Sequence, residues 1–290
     1  MNIGLIDVDG KIANLALMKI SAWHKAQGDE VKWHDPLFDR PDRVYASKIF
    51  TFSPDYDGGF PDCEIIRGGT GYDINGKLPP EIEAVNPDYS IYPNCNYAIG
   101  FLTRGCIRSC SWCVVPQKEG NIHAVATWQQ IKRNDCNDIM FLDNNVLASE
   151  HGIKQIEELG KTKVKIDFNQ GLDARLIDSS VARLLCDCKW SRYIRISCDT
   201  ISMLNHVKKA VQYIKAIKPK IEIFCYVLVK EVAESLSIVE ELRALKVTPF
   251  AQPFRDFKHN NEIITEQRNF ARWVNRREIF KTCSFENYRH

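Results

Sequence analysis

The 290-residue sequence has no stretch approaching the roughly 18 consecutive apolar residues that a membrane-crossing helix needs, so hydropathy gives no reason to expect a membrane partner. It also lacks a basic leader. The opening MNIGLIDVDG carries aspartates where a secretory signal would carry lysines, and a cytoplasmic protein is expected. Charge of either sign is barely in excess, with 39 Lys and Arg against 37 Asp and Glu, so nucleic acid is not indicated by overall charge. No repeat of identical sequence and no low-complexity tract is present. Cysteine, by contrast, is abundant. The count of eleven is odd, no export signal is seen, and most cysteines lie singly in apolar runs, which argues against a disulfide framework. Cys198 in YIRISCDT and Cys225 in IEIFCYVLV read as small core residues of buried strands.

With 44% hydrophobic residues the chain can bury one large core or two modest ones. The first segment reads as a small open α/β layer: a strand from Ile3 to Asp7, a helix from Leu15 to Gln27, and strands near Val31, from Arg43 to Ile49 and from Glu64 to Arg67. A Gly-, Pro- and Asn-rich connector follows, between Gly68 and Asn96. From Tyr97 onward six short apolar runs alternate with helical patterns, ending in VTPFAQPF and a final helix near Ile263 to Lys281. Serial β-α units require a parallel sheet with crossovers of one hand, which when curled makes a partial (β/α)6 barrel. The expected fold class is therefore α/β. The expected division is residues 1–90 for the open domain and connector, 91–258 for the barrel and 259–290 for a helical extension. Loops after parallel strands gather at one edge, where sites are built.

One such loop, TRGCIRSCSWCVVPQKEG, places Cys106, Cys110 and Cys113 in C-x3-C-x2-C spacing after the first barrel strand. Three thiolates on one short loop are soft ligands for an iron-sulfur cluster or for zinc, the latter completed by His123 or another residue. Three ligands to four irons would leave one iron open. The spacing, with Trp112 directly before the third cysteine and six β-α units following, resembles the radical S-adenosylmethionine (SAM) superfamily over roughly Tyr97 to Asp256. The resemblance implies a [4Fe-4S] cluster on Cys106, Cys110 and Cys113 and SAM on the open iron. It further implies reductive cleavage to a 5′-deoxyadenosyl radical that abstracts hydrogen from a substrate. An electron donor such as flavodoxin or ferredoxin is then needed. A non-catalytic iron-sulfur sensor or scaffold on the same fold is the rival class. CVVPQKEG is also similar to the tRNA methylthiotransferases, but only Cys63 and Cys95 precede the motif, too few for their second cluster.

The same resemblance carries over to polar residues at the strand ends. Asp143 and Asn144 in FLDNN match positions that bind the SAM amino group, or else cap the next helix. Gln170 and Arg175 in NQGLDAR could face the cavity, with Arg175 pairing the SAM carboxylate or a neighbouring acid on the rim. Ser197 and Asp199 stand where the family contacts the ribose, on one face by strand alternation, with a helix cap by Asp199 or Thr200 as the other reading. Gln252, Arg255 and Asp256 are candidates for substrate or adenine contact.

The N-terminal layer resembles the Rossmann-like cobalamin-binding domain of class B radical SAM proteins. The cobalt-ligating histidine of that domain is missing, because Asp7-Val8-Asp9-Gly10 stands where its motif would begin. Cobalamin is thus the lesser expectation, and His24 and His34 read as ordinary surface residues.

Overall fold

The structure, a computed structural model, describes residues 1–256 and 262–288. The chain divides into two compact units, Met1–Asn96 and Tyr97–His290, each a mixed α/β unit with parallel sheets. The connector belongs to the first unit. The expected boundary at residues 258 and 259 lies outside the described residues.

In the first unit, β1 (Asn2–Asp7) is flanked by β2 (Glu30–Trp33) on one side and by β3 (Arg43–Ser47) and then β4 (Glu64–Gly68) on the other, all parallel. Ile3 to Ile6 are all buried, as a central parallel strand covered on both faces requires. Helix α1 (Leu15–Ala26) begins at Asn14, whose side chain accepts from the Leu17 amide at 3.3 Å and donates to Ser47 Oγ at 2.9 Å. Its inner face runs Leu17, Ser21, His24 at helical spacing, and this corrects the surface reading of His24. That ring is 1% exposed, bonded by Asp29 at 2.6 Å and the Tyr45 hydroxyl at 2.9 Å. His34 is half-buried, with no hydrogen-bond partner on either ring nitrogen. A single turn, α2 (Pro80–Glu83), precedes Asp88, whose carboxylate joins the connector to α1 through Ser21 Oγ and Lys25 Nζ, both at 2.7 Å.

The second unit holds β5 (Ala98–Gly100), β8 (Asp138–Phe141), β9 (Lys165–Phe168) and β10 (Lys189–Trp190) in one parallel sheet of order β10-β9-β8-β5. A second parallel sheet has the order β11 (Ile194–Ser197), β12 (Ile223–Val229), β13 (Thr248–Pro253). One parallel bridge, Leu172 to Ile196, lies between them, with the Leu172 amide on the Arg195 carbonyl at 2.8 Å. The ladders thus give two sheets and a bridge rather than a drawn barrel. Strand β12 alternates buried and half-buried residues without exception, so one face is packed and the other is partly open. The packed face meets helix α8 (Val232–Ala244), and the apolar stripes of α5 (Glu150–Gly160), α6 (Ser179–Asp187), α7 (Leu204–Ile217) and α8 share one core with Phe141, Phe168, Cys198 and Cys225.

Two local features depart from the expected pattern. The helix expected from Thr127 to Arg133 shrinks to one turn, α4 (Trp128–Ile131), held by a capping box between Thr127 and Gln130. The final helix is broken at Arg276 into α9 (Thr265–Asn275) and α10 (Arg277–Thr282). The break follows from Asn275, whose amide bonds both the N–H (2.8 Å) and the carbonyl (2.9 Å) of Ala251 on β13, while the Trp273 indole N–H reaches the Cys283 carbonyl at 2.9 Å.

Candidate functional site

After β5 the chain makes a short antiparallel hairpin, β6 (Thr103–Arg104) with β7 (His123–Ala124), and the three cysteines occupy the segment between its arms. The loop closes at its neck, where the Cys106 amide donates to the Gly120 carbonyl at 3.2 Å. Gly105 makes that neck possible. Its φ is +84°, and a Cβ there would lie 2.3 Å from the Asn121 carbonyl oxygen, so only glycine is accommodated. Inside the loop the Cys113 amide turns back to the Cys110 carbonyl at 3.0 Å, and one helical turn, α3 (Val115–Lys118), starts two residues later.

The segment Asp143-Asn144-Asn145, at the C-terminal end of β8, holds the start of this loop residue by residue. Asp143 accepts from the Leu102 amide (3.0 Å), the Thr103 amide (2.6 Å) and the Thr103 hydroxyl (2.8 Å). Asn144 Oδ1 accepts from the Gly105 amide at 3.0 Å. Asn145 Nδ2 donates to Cys106 Sγ at 3.3 Å, and the Arg108 amide donates to the same sulfur at 3.3 Å. Asp143 is 2% exposed, and burial, opposed by its three donors, pushes its carboxyl up to about 6. Asp143 and Asn144 therefore place the cysteine loop, and neither acts as a helix cap. The side chain with a spare group beside Cys106 is Asn145, 3% exposed, whose Oδ1 has no hydrogen-bond partner among the described residues.

A second cluster comes from the turn after β9. Asp173, 7% exposed, grips Arg175 through two bonds (Nε to Oδ1 2.7 Å, Nη2 to Oδ2 3.0 Å) and takes Arg108 Nε, from the cysteine loop, at 3.2 Å. Burial alone would raise the Asp173 carboxyl; the guanidinium of Arg175, with Arg108 beyond it, outweighs burial and holds it below its ordinary range. The Asp173 bond is the largest influence that raises the Arg175 guanidinium, and the Cys110 thiol adds to it in the same direction, which puts Arg175 in the electrostatic neighbourhood of the cysteine loop. Of the two roles read for Arg175, the structure displays the pairing with a neighbouring acid. Gln170 is exposed on the same turn.

A third contribution comes from β11 and β12. Ser197 and Asp199 are half-buried on one face, as alternation required. Burial raises the Asp199 carboxyl, opposed by the hydrogen bond from the Trp112 indole and by the charges of Lys230 and Arg175. Lys230, directly after β12, stands over the Trp112 ring at 3.7 Å. Burial of its sulfur raises the Cys113 thiol, and Cys110, Cys106 and Asp199 push it the same way, so the three thiols and Asp199 share one electrostatic neighbourhood.

Among the described residues, no three His, Cys, Asp or Glu side chains are gathered to hold a metal ion. His123, the residue read as completing a zinc site, is exposed on β7 with its Nδ1 3.0 Å from the Asn121 carbonyl. Gln252 is exposed on β13, and Arg255 and Asp256 follow that strand. Sequence reasoning missed Asn145, Asp173, Arg108 and Lys230. Asn145 had a signal, as the third polar residue of a strand-end run. The others act through partners 60 or more residues away or across strands, which spacing does not reveal.

A scan against protein-family models and a search of curated proteins return no match to this chain.

Proposed function

We propose that the second unit is a radical SAM enzyme, with Cys106, Cys110 and Cys113 as ligands of a [4Fe-4S] cluster and its parallel strands as a partial barrel. When bound, a cluster with three protein thiolates supplies an open iron for the amino and carboxylate groups of SAM and the electron that cleaves its carbon-sulfur bond.

The observation that carries the reading is the clamp of three consecutive residues, Asp143 to Asn145, on Leu102 to Cys106. It delivers Cys106 with two N–H donors on its sulfur and leaves the buried Asn145 Oδ1 unpaired beside it. Donors to sulfur favour the thiolate that iron requires. The surroundings add positive charge from Arg108, Arg175 and Lys230, which would offset the charge of a cluster held by three thiolates. In this reading Asn145 Oδ1 accepts from the SAM ammonium group, as a buried amide oxygen without a donor should. Ser197 and Asp199 line the ribose side, and Trp112, next to Cys113, is flanked by Asp199 and Lys230. Arg175 brings positive charge near Cys110 while Asp173 fixes its fork. Further support for a barrel comes from the strand orders β5-β8-β9-β10 and β11-β12-β13, in which each new parallel strand pairs with the last, and from the bridge of Leu172 to Ile196 between the two sheets.

Cobalamin has no place in the proposal. The turn after β1 offers no histidine, and its carboxylates are committed: Asp9 to the Ile49 and Phe50 amides at 2.7 and 2.9 Å, Asp7 to the Tyr92 hydroxyl at 2.6 Å.

The test is anaerobic reconstitution with iron and sulfide, followed by electron paramagnetic resonance of the reduced protein with and without SAM. About four irons per chain and a spectrum altered by SAM are expected, with the SAM effect weakened in Asn145→Leu. A cluster whose spectrum ignores SAM would favour a sensor or scaffold, and a chain that takes zinc but no iron would refute the reading.

A further inference from the structure

At the opposite edge of the second unit's sheets lies a cavity of about 700 Å³. Five lysines line it. Lys163 and Lys165 come from the start of β9, Lys189 from β10, and Lys218 and Lys220 from the turn before β12. No carboxylate is among the lining residues, in a chain whose acids and bases otherwise nearly balance at 37 and 39. The side chains of Lys163, Lys165, Lys189 and Lys220 are exposed and, among the described residues, form no ion pair. Lys218 is half-buried and donates to the Cys186 carbonyl, so one ammonium is fixed at the wall.

The floor is of a different kind. Trp190 contributes a half-buried indole whose N–H is already bonded to the Leu185 carbonyl at 2.8 Å, so its ring offers only apolar and π surface to a ligand. Ile217, 40% exposed, extends that surface. An apolar floor with one aromatic ring, lined by five lysines of which Lys218 alone is held by a protein carbonyl, matches a flat ring carrying several negative charges. The volume lies within the roughly 300–1,000 Å³ of small-molecule sites.

We infer that this pocket binds a nucleoside phosphate, its base against Trp190 and Ile217 and its phosphates among the five lysines. The ligand's source is a free nucleotide or a nucleotide within a single strand, since both present the same group. The pocket is separate from the cysteine site. It lies at the N-terminal edge of the strands, whereas the cysteines lie at the C-terminal edge, and β12 alone, with seven residues, spans roughly 20 Å between these edges. The inference does not rest on the proposed SAM chemistry.

The experiment is equilibrium binding to the full chain of ATP, inorganic triphosphate and an oligouridylate of roughly 8 nucleotides, each at low and moderate salt. It is repeated for the pair Lys189→Glu and Lys220→Glu and for Trp190→Leu, with circular dichroism to verify folding. ATP is expected to bind, to weaken with salt, and to lose roughly tenfold or more in the charge-reversed pair. Trp190→Leu should weaken ATP more than triphosphate. An oligonucleotide tighter than ATP assigns the source to a strand, and one no tighter assigns it to free nucleotide. Triphosphate binding as tightly as ATP, ATP binding unchanged in the charge-reversed pair, or no binding of ATP or oligonucleotide at low salt would overturn the inference. Because the lysine pair is exposed and remote from the cysteines, iron incorporation should be unaffected, which separates failure here from failure of the radical SAM reading.

Discussion

Replacing Asp143 with alanine strands three buried donors, the amides of Leu102 and Thr103 and the Thr103 hydroxyl. Each stranded donor costs about 1–3 kcal/mol, so the gross loss is about 6 kcal/mol. Part is recovered, because a carboxyl held at about 6 rather than its ordinary 3.8 carries an ionisation penalty near ~3 kcal/mol at neutral pH that alanine does not. The net expectation at pH 7 is a destabilisation of about 3 kcal/mol. Thr103→Val, which removes only the hydroxyl bond, should cost about 1 kcal/mol. The pH dependence has a definite sign. With the folded carboxyl titrating above the unfolded one, the penalty is present above about 6 and disappears as pH falls toward 4. The gap between wild type and Asp143→Ala should therefore widen from pH 7 to pH 5. Urea unfolding followed by tryptophan fluorescence measures both effects. A gap below about 1 kcal/mol at pH 7, or one that narrows at pH 5, would refute the reasoning.

Gly105→Ala should be worse than an ordinary surface change, by more than about 2 kcal/mol, since both the positive φ and the contact with the Asn121 backbone oppose a side chain; thermal unfolding with a shift of less than a degree would contradict this. In the first unit, burial works against Asp88, yet Lys25, Ser21 and Ser90 bring its carboxyl down to about 2. Stability from this group is present above about pH 4 and is lost as pH falls toward 2, with an amplitude near ~1 kcal/mol after screening by solvent. Asp88→Asn should flatten that part of an acid-unfolding curve, and an unchanged curve would contradict the assignment.

The parts of the site that spacing could announce were legible. The C-x3-C-x2-C loop, its place after a strand and the β-α rhythm all follow from short-range pattern, and Cys198 and Cys225 are core residues as their apolar runs implied. The mechanical role of Asp143 was not legible, because its partners Leu102 and Thr103 are about 40 residues away and become neighbours only when β5 and β8 pair. The same applies to Asp173, which meets Arg108 across 65 residues. His24 was misread for a simpler reason. A histidine at a helix end is usually solvated, but this one sits on the inner face with Asp29 and Tyr45 satisfying both nitrogens. The lysine pocket was hidden in a balanced composition, since it is assembled from three separate stretches of chain.

The central claim is tested most directly by reduction of the reconstituted protein with dithionite in the presence of SAM, with 5′-deoxyadenosine as the readout and Cys110→Ala as the control. The account predicts deoxyadenosine from the wild-type chain and none from the variant. A full complement of iron with SAM left intact across several low-potential reductants would contradict it.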